Sequence, residues 1–205
     1  MRRNAHTRKP DATPRFVKTA ATIEAMNPAS NLILVGPMGA GKTSIGQRLA
    51  ARFGLRLLDA DHEIERESGA TVVQLFEREG EAGFRQRESA VLARLLQEEG
   101  IVLSTGGGVV LDGRNRSLLR DGGFVVHLQA SVEQQLARLA HDRTRPLLAR
   151  PDREQVLREL AAVRTPLYAE VADLAFDPAD LDVESASARL AGLLARHWQR
   201  LGAAA

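Results

Sequence analysis

Gly36-Pro37-Met38-Gly39-Ala40-Gly41-Lys42-Thr43 is the stretch whose residue types and spacing bear most directly on chemistry. Phosphates need several N–H donors at close range, and glycine brings the backbone to an anion with no Cβ in the way. A helix opening near Gly41 turns its free N–H groups and the positive end of its dipole to the same point. Lys42 adds a compact ammonium for the outer phosphates, and the Thr43 hydroxyl suits a magnesium ion. The pattern is G-x-x-x-x-G-K-T, the P-loop, and it predicts a nucleotide phosphate site over Gly39, Ala40, Gly41, Lys42, Thr43 and Ser44. A chance glycine turn is the plain alternative, and the bare pattern would arise in about one such chain in a hundred. Lysine usage speaks against chance: beyond residue 18 every basic residue is arginine except Lys42. A planar guanidinium does not fit between phosphates as an ammonium does.

Three further groups suit a phosphoryl-transfer site. Asp59 and Asp61 stand at i and i+2 after a short apolar run, where one carboxylate can assist a metal through water and the other can take a proton from a hydroxyl. The competing role is structural, with Asp61 capping the helix that follows. Gly106-Gly107-Gly108 at a strand end offers bare N–H groups, though a tight turn explains glycines equally well. Arg85, Arg145 and Arg164 stand out among 25 arginines. Arg145 lies in a proline-bounded basic loop, residues 143–151, where a guanidinium can close over phosphates as charge spreads in a transition state. His62, His127, His141 and His197 have no metal-ligand spacing and read as structural or surface residues.

The elements that must position these residues alternate in type. Apolar runs at 31–35, 55–58, 101–104, 124–128 and 174–176 read as buried strands. Ile45, Leu49 and Phe53 fall at i, i+4 and i+8, one face of a helix after the P-loop. Further helices are predicted from Ile64, with a break near Gly69, a short one closing at Gly80, and others over 84–99, 115–120, 132–140, 153–164, 166–172 and 185–201. Ser131 is the expected cap of the helix at 132. Strands alternating with helices predict an α/β fold: a parallel five-stranded sheet covered on both faces in three layers. Ligands in such folds bind beyond the carboxyl ends of the strands, which places the P-loop, the Asp59/Asp61 turn and the glycine triplet around one crevice.

Composition bounds the rest. The 205 residues are 44% hydrophobic, with no run of membrane-spanning length, and suit one domain over 30–201 with an extension before it. Without cysteine there are no disulfides and no cysteine zinc sites, which fits the cytoplasm. Residues 1–29 carry six bases and two acids, +4, and the remainder 22 bases and 24 acids, −2. The domain therefore lacks the basic bias of many nucleic-acid binders. Residues 1–29 contain Pro10, Pro14 and Pro28, lack an apolar period, and read as a disordered basic extension. A targeting segment, an upstream read-through before a start at Met26, and an idle arm all stay open for it.

Taken in order, GPMGAGKTSIG, DADHEIE, the set Phe76, Glu77, Gly80, Glu81, Phe84, Arg85 and Glu88, then STGGGVV, RTRPLL and RTPLYAEVAD resemble shikimate kinase from about Asn31 to the C-terminus. The resemblance implies a P-loop kinase that moves the γ-phosphate of ATP to the 3-hydroxyl of shikimate, on the way to chorismate and the aromatic amino acids. It implies that Lys42 and Thr43 serve ATP and Mg²⁺, and that Asp59 supports the metal. Asp61 would bind the shikimate hydroxyls and act as the base. Arg85 and Arg164, with a Gly107 N–H, would hold the carboxylate. Arg145 would be the catalytic arginine of a lid from about Leu139 to Asp152. The expected partners are shikimate and ATP, with no nucleic acid and no membrane, and the expected form is a cytoplasmic monomer. Near Pro178, where the family contacts adenine, the match is poor and no residue is assigned. The rival readings are another small P-loop kinase, such as a gluconate kinase, and a non-catalytic sensing module.

Overall fold

The computed structural model describes residues 29–140, 152–179 and 181–198. All but the last residue of the expected basic extension lies outside them, as do Arg145 and most of the expected lid. Five short strands, β1 (Leu32–Val35), β2 (Arg56–Asp59), β3 (Ile101–Ser104), β4 (Phe124–Leu128) and β5 (Leu174–Phe176), form one sheet in the order β2-β3-β1-β4-β5. Every pairing is parallel, as the alternating pattern predicts. β1 is central, with Leu32 beside Val102 on one side and Phe124 on the other.

Side chains alternate across the sheet and divide the core in two. Leu32, Leu34, Val102, Val126 and Phe176 face α1 (Lys42–Phe53) and α7 (Val183–His197), where Ile45, Leu49, Leu190 and Leu194 are buried. Ile33, Val35, Ile101, Leu103 and Val125 face the other way. Their layer comes from α2 (Ala60–Ser68), α3 (Val72–Leu95), α4 (Gly113–Gly122) and α6 (Arg153–Val171), and buries Ile64, Leu92, Leu119 and Tyr168. β1, β3 and β4 are covered on both sides, which is why they read as continuous apolar runs rather than alternating ones. The remaining helix, α5 (Val132–Arg138), opens on Ser131, whose side chain accepts from the Gln134 N–H while Gln134 accepts from the Ser131 N–H.

Several boundaries differ from the sequence expectation, each for a local reason. α2 begins at Ala60 because Asp59, not Asp61, is its cap, accepting from the N–H groups of Asp61 (3.1 Å) and His62 (3.4 Å). The helices expected on either side of Gly80 are both present: Gly80, at φ 69° and ψ −177°, is not helical and separates two helical stretches of α3, the second of which ends at Leu95 rather than near residue 99. α6 passes through Pro166 instead of dividing there. Proline gives up one backbone bond, while Leu157, Arg164 and Tyr168 on the buried face hold both halves in place. Asp182 starts α7 two residues before the expected Ser185 by accepting from the Ser185 N–H.

Candidate active site

The P-loop follows β1 at the carboxyl end of the sheet. Gly36, Gly39 and Gly41 have φ of 144°, 75° and 87°, a region that L side chains rarely adopt, so the loop's path depends on glycine. α1 then opens with no side-chain cap and no acidic residue in its first turn. Its first N–H groups are thus left for an anion. Lys42 Nζ donates to the carbonyls of Gly36 and Pro37, each at 2.9 Å, which holds the ammonium against the inside of the loop.

Thr43 and Asp59 meet where the resemblance puts the metal. Thr43 Oγ1 donates to Asp59 Oδ2 at 2.7 Å and lies 3.2 Å from Ser104 Oγ. A hydroxyl paired with a carboxylate fits magnesium, which takes few protein ligands and completes its shell with phosphate oxygens and water. Among the described residues no cluster of three or more His, Cys, Asp or Glu side chains forms an all-protein cage.

The glycine triplet after β3 is where Asp61, Glu88 and Arg85 converge. A Cβ at Gly106 would fall 2.6 Å from Glu88 Oε1 and 2.9 Å from Asp61 Oδ1. One at Gly108 would collide with the Arg85 guanidinium. Gly107 is partly exposed, and its own Cβ position is 3.6 Å from Gly36 O, Met38 N and the Tyr168 hydroxyl. The turn therefore has Asp61 and Arg85 on one side and the P-loop and Tyr168 on the other. Close approach accounts for glycine at Gly106 and Gly108, whereas a Cβ at Gly107 would make only ordinary van der Waals contacts.

Arg85 donates to Glu88 Oε2 at 2.7 Å and to Glu81 Oε1 at 3.2 Å, and lies 5.3 Å from the Phe84 ring centroid. Burial works against its charge, but Glu88 and then Glu81 outweigh it and hold its pKa above the ordinary arginine value. Burial pushes Glu88 up, against the pull of Arg85, and neighbouring Asp61 adds to the rise. Arg164 is buried on α6 and attracts the charged form of Glu88, so both arginines act on one buried carboxylate. Glu88 Oε1 and Arg164 Nε have no hydrogen-bond partner among the described residues. Arg85 and Arg164 thus come to the same turn, while Arg145 lies outside the described residues.

A cavity of about 210 Å³ is lined by Met38, His127, Gln135, Leu160, Arg164 and Tyr168 among others; Asp61, Arg85 and the glycine triplet are not part of its lining. Burial and then the charge of Lys42 drive the His127 pKa down to about 4, so the imidazole is neutral. Burial raises the Tyr168 hydroxyl to about 12. Glu88, Ser104, His127 and Tyr168 were not singled out for roles at this site by sequence reasoning. Glu88 and Tyr168 carried a usable signal: each follows a chosen arginine by one helical turn, at i+3 from Arg85 and i+4 from Arg164. Ser104 gave none beyond ending an apolar strand, and His127 none beyond lying one residue before the end of one.

The model of one protein family, described as shikimate kinase, matches residues 38–193. The chain belongs to the shikimate kinase family. Curated shikimate kinases of Stenotrophomonas maltophilia (strain K279a) and Xanthomonas campestris pv. campestris (strain 8004) are 56% and 53% identical to it over 175 and 174 residues, in each case 85% of this chain and 97% of the relative. Among solved structures, shikimate kinase from Acinetobacter baumannii in complex with shikimate is 44% identical with a TM-score of 0.80, over 85% of this chain and 97% of that one. The Bacteroides thetaiotaomicron shikimate kinase is 31% identical with a TM-score of 0.74, over 80% and 98%. A sugar kinase from Janibacter, 20% identical with a TM-score of 0.56, shares the fold. The five-stranded parallel sheet is that of a P-loop kinase, and as a shikimate kinase family member the chain is an ATP-dependent kinase.

Proposed function

We propose that this kinase transfers the γ-phosphoryl group of ATP to the 3-hydroxyl of shikimate, giving shikimate 3-phosphate and ADP, with the labour divided among the residues above. One observation carries the reading: the turn that backs onto the P-loop through Gly107 also receives Asp61 and Arg85 on its other side. A hydroxyl offered to Asp61 is then a short distance from a phosphate held by the loop.

The N–H groups over Gly39 to Ser44 cradle the phosphates, and Lys42 places its charge among them. Thr43 and Asp59 are the residues that would hold magnesium, which when bound would supply positive charge to the phosphate oxygens. Asp61 accepts the hydroxyl proton as the new P–O bond forms and the bond to the ADP oxygen breaks. Arg85 and Arg164 grip the acceptor's carboxylate, where a guanidinium gives two parallel bonds, and the Gly107 N–H assists. Arg145, assigned on its motif alone, neutralises charge on ATP. Little covalent work falls to the protein; in-line positioning does most of it.

We place the enzyme in the cytoplasm as a monomer, acting on small molecules rather than on nucleic acid or membrane. The net −2 of residues 30–205 supports this, and no helix among the described residues is long and apolar enough to cross a membrane. Phosphorus NMR of the product formed from ATP and shikimate tests the transfer. The expected result is one new phosphate monoester coupled to the ring proton at carbon 3. Coupling to another ring proton would overturn the assigned hydroxyl, and inorganic phosphate alone would overturn the transfer.

A further inference from the structure

Three successive glycines have almost no conformational preference of their own, so something must fix each peptide of the turn. Two are fixed by backbone: Val109 N–H bonds to the Gly106 carbonyl at 3.3 Å and Leu111 N–H to the Gly108 carbonyl at 3.0 Å. The carbonyl between them is fixed by a side chain, with the Tyr168 hydroxyl donating to Gly107 O. Tyr168 is only 2% exposed and its ring lies 4.9 Å from that of His127, centroid to centroid. It shares a face of α6 with Arg164, four residues earlier, whose positive charge favours the ionised hydroxyl against the burial that raises its pKa.

We propose that Tyr168 is a positioning residue: its single hydroxyl pins the Gly107 carbonyl to α6, the helix that carries Arg164, so that the turn and α6 present amide and guanidinium to the acceptor's carboxylate in a fixed relation. This rests on the roles given above to Gly107 and Arg164. Tyr168 does not touch the reacting atoms. Its bond sets the Gly107–Gly108 peptide plane, which glycine alone leaves free to rotate. The ring packs against His127, which helps to keep the hydroxyl in place.

Tyr168→Phe removes the hydroxyl and keeps the ring. The expected result is a KM for shikimate raised about 10-fold, with the KM for ATP changed less than about twofold. A lost hydrogen bond that mattered only to folding would not divide the two substrates in this way. An equal rise in both constants, or no change in either, overturns the proposal. The chain holds one tyrosine, so biosynthetic 3-fluorotyrosine labels Tyr168 alone and leaves its hydroxyl in place. Its fluorine resonance is expected to move on addition of shikimate and stay still on addition of ATP without metal. A resonance indifferent to shikimate also overturns the role. Absence of wild-type turnover with shikimate would bring down the functional reading itself, and the positioning role with it.

Discussion

The phosphate side of the proposed crevice is one continuous run of backbone, whereas the proposed acceptor side takes single side chains from α2, α3 and α6 and sets them around a turn of glycines. On the phosphate side the loop is written into eight adjacent residues, and the positive φ of Gly36, Gly39 and Gly41 fixes its path. On the acceptor side Asp61, Arg85 and Arg164 are far apart in the chain, and nothing local brings them together. The sheet order β2-β3-β1-β4-β5 does so, by ending β1, β2 and β3 at the same rim. A binding site made of main chain tolerates change in its surroundings. One made of converging side chains depends on every element that carries them.

That contrast can be broken from either side. Lys42→Ala should have the largest effect, with kcat falling about 1000-fold or more while the melting temperature barely moves, because the carbonyls of Gly36 and Pro37 that Nζ holds belong to the loop itself and not to the core. Steady-state kinetics beside a thermal melt checks it, and unchanged turnover would end the assigned role. Next, Arg85→Ala and Arg164→Ala should each raise the KM for shikimate about 100-fold and that for ATP less than about threefold. Comparable losses for both substrates would erase the division between the two sides.

The smallest expected effect is one of stability. Burial and Lys42 lower the His127 pKa to about 4 in the folded chain, against 6.5 unfolded. The unfolded state therefore binds the extra proton between these values, so stability is full above about pH 6.5 and is lost as pH falls toward 4. From pH 7 to pH 5 the wild type should lose about 2 kcal/mol more than His127→Gln. Urea unfolding of both proteins at the two pH values measures the difference, and parallel losses would show that the imidazole is not buried as described.

How much could be read in advance follows the same division. The strands and the P-loop were legible because each depends on neighbours in sequence: continuous apolar runs for buried parallel strands, glycine spacing for the loop. Asp59 and Asp61 were visible as a pair, but the cap fell to Asp59 because its carboxylate reaches two N–H groups and the Thr43 hydroxyl at once. Glu88 and Tyr168 were present in the family motifs without a role. What singles them out is burial beside an arginine or a glycine carbonyl, and burial is set by packing across the whole chain. Gly80 was legible, since its left-handed backbone does interrupt the winding of α3, whereas Pro166 misled because the buried face of α6 holds the helix together through it.

The central claim is that one crevice holds ATP against an acidic, hydroxylated ring. Release of ADP from ATP, followed in a coupled assay with shikimate, with gluconate and with no acceptor, tests it most directly. The account predicts rapid release with shikimate and only a trace in the other two. Release with gluconate alone, or at the same rate without any acceptor, would contradict it.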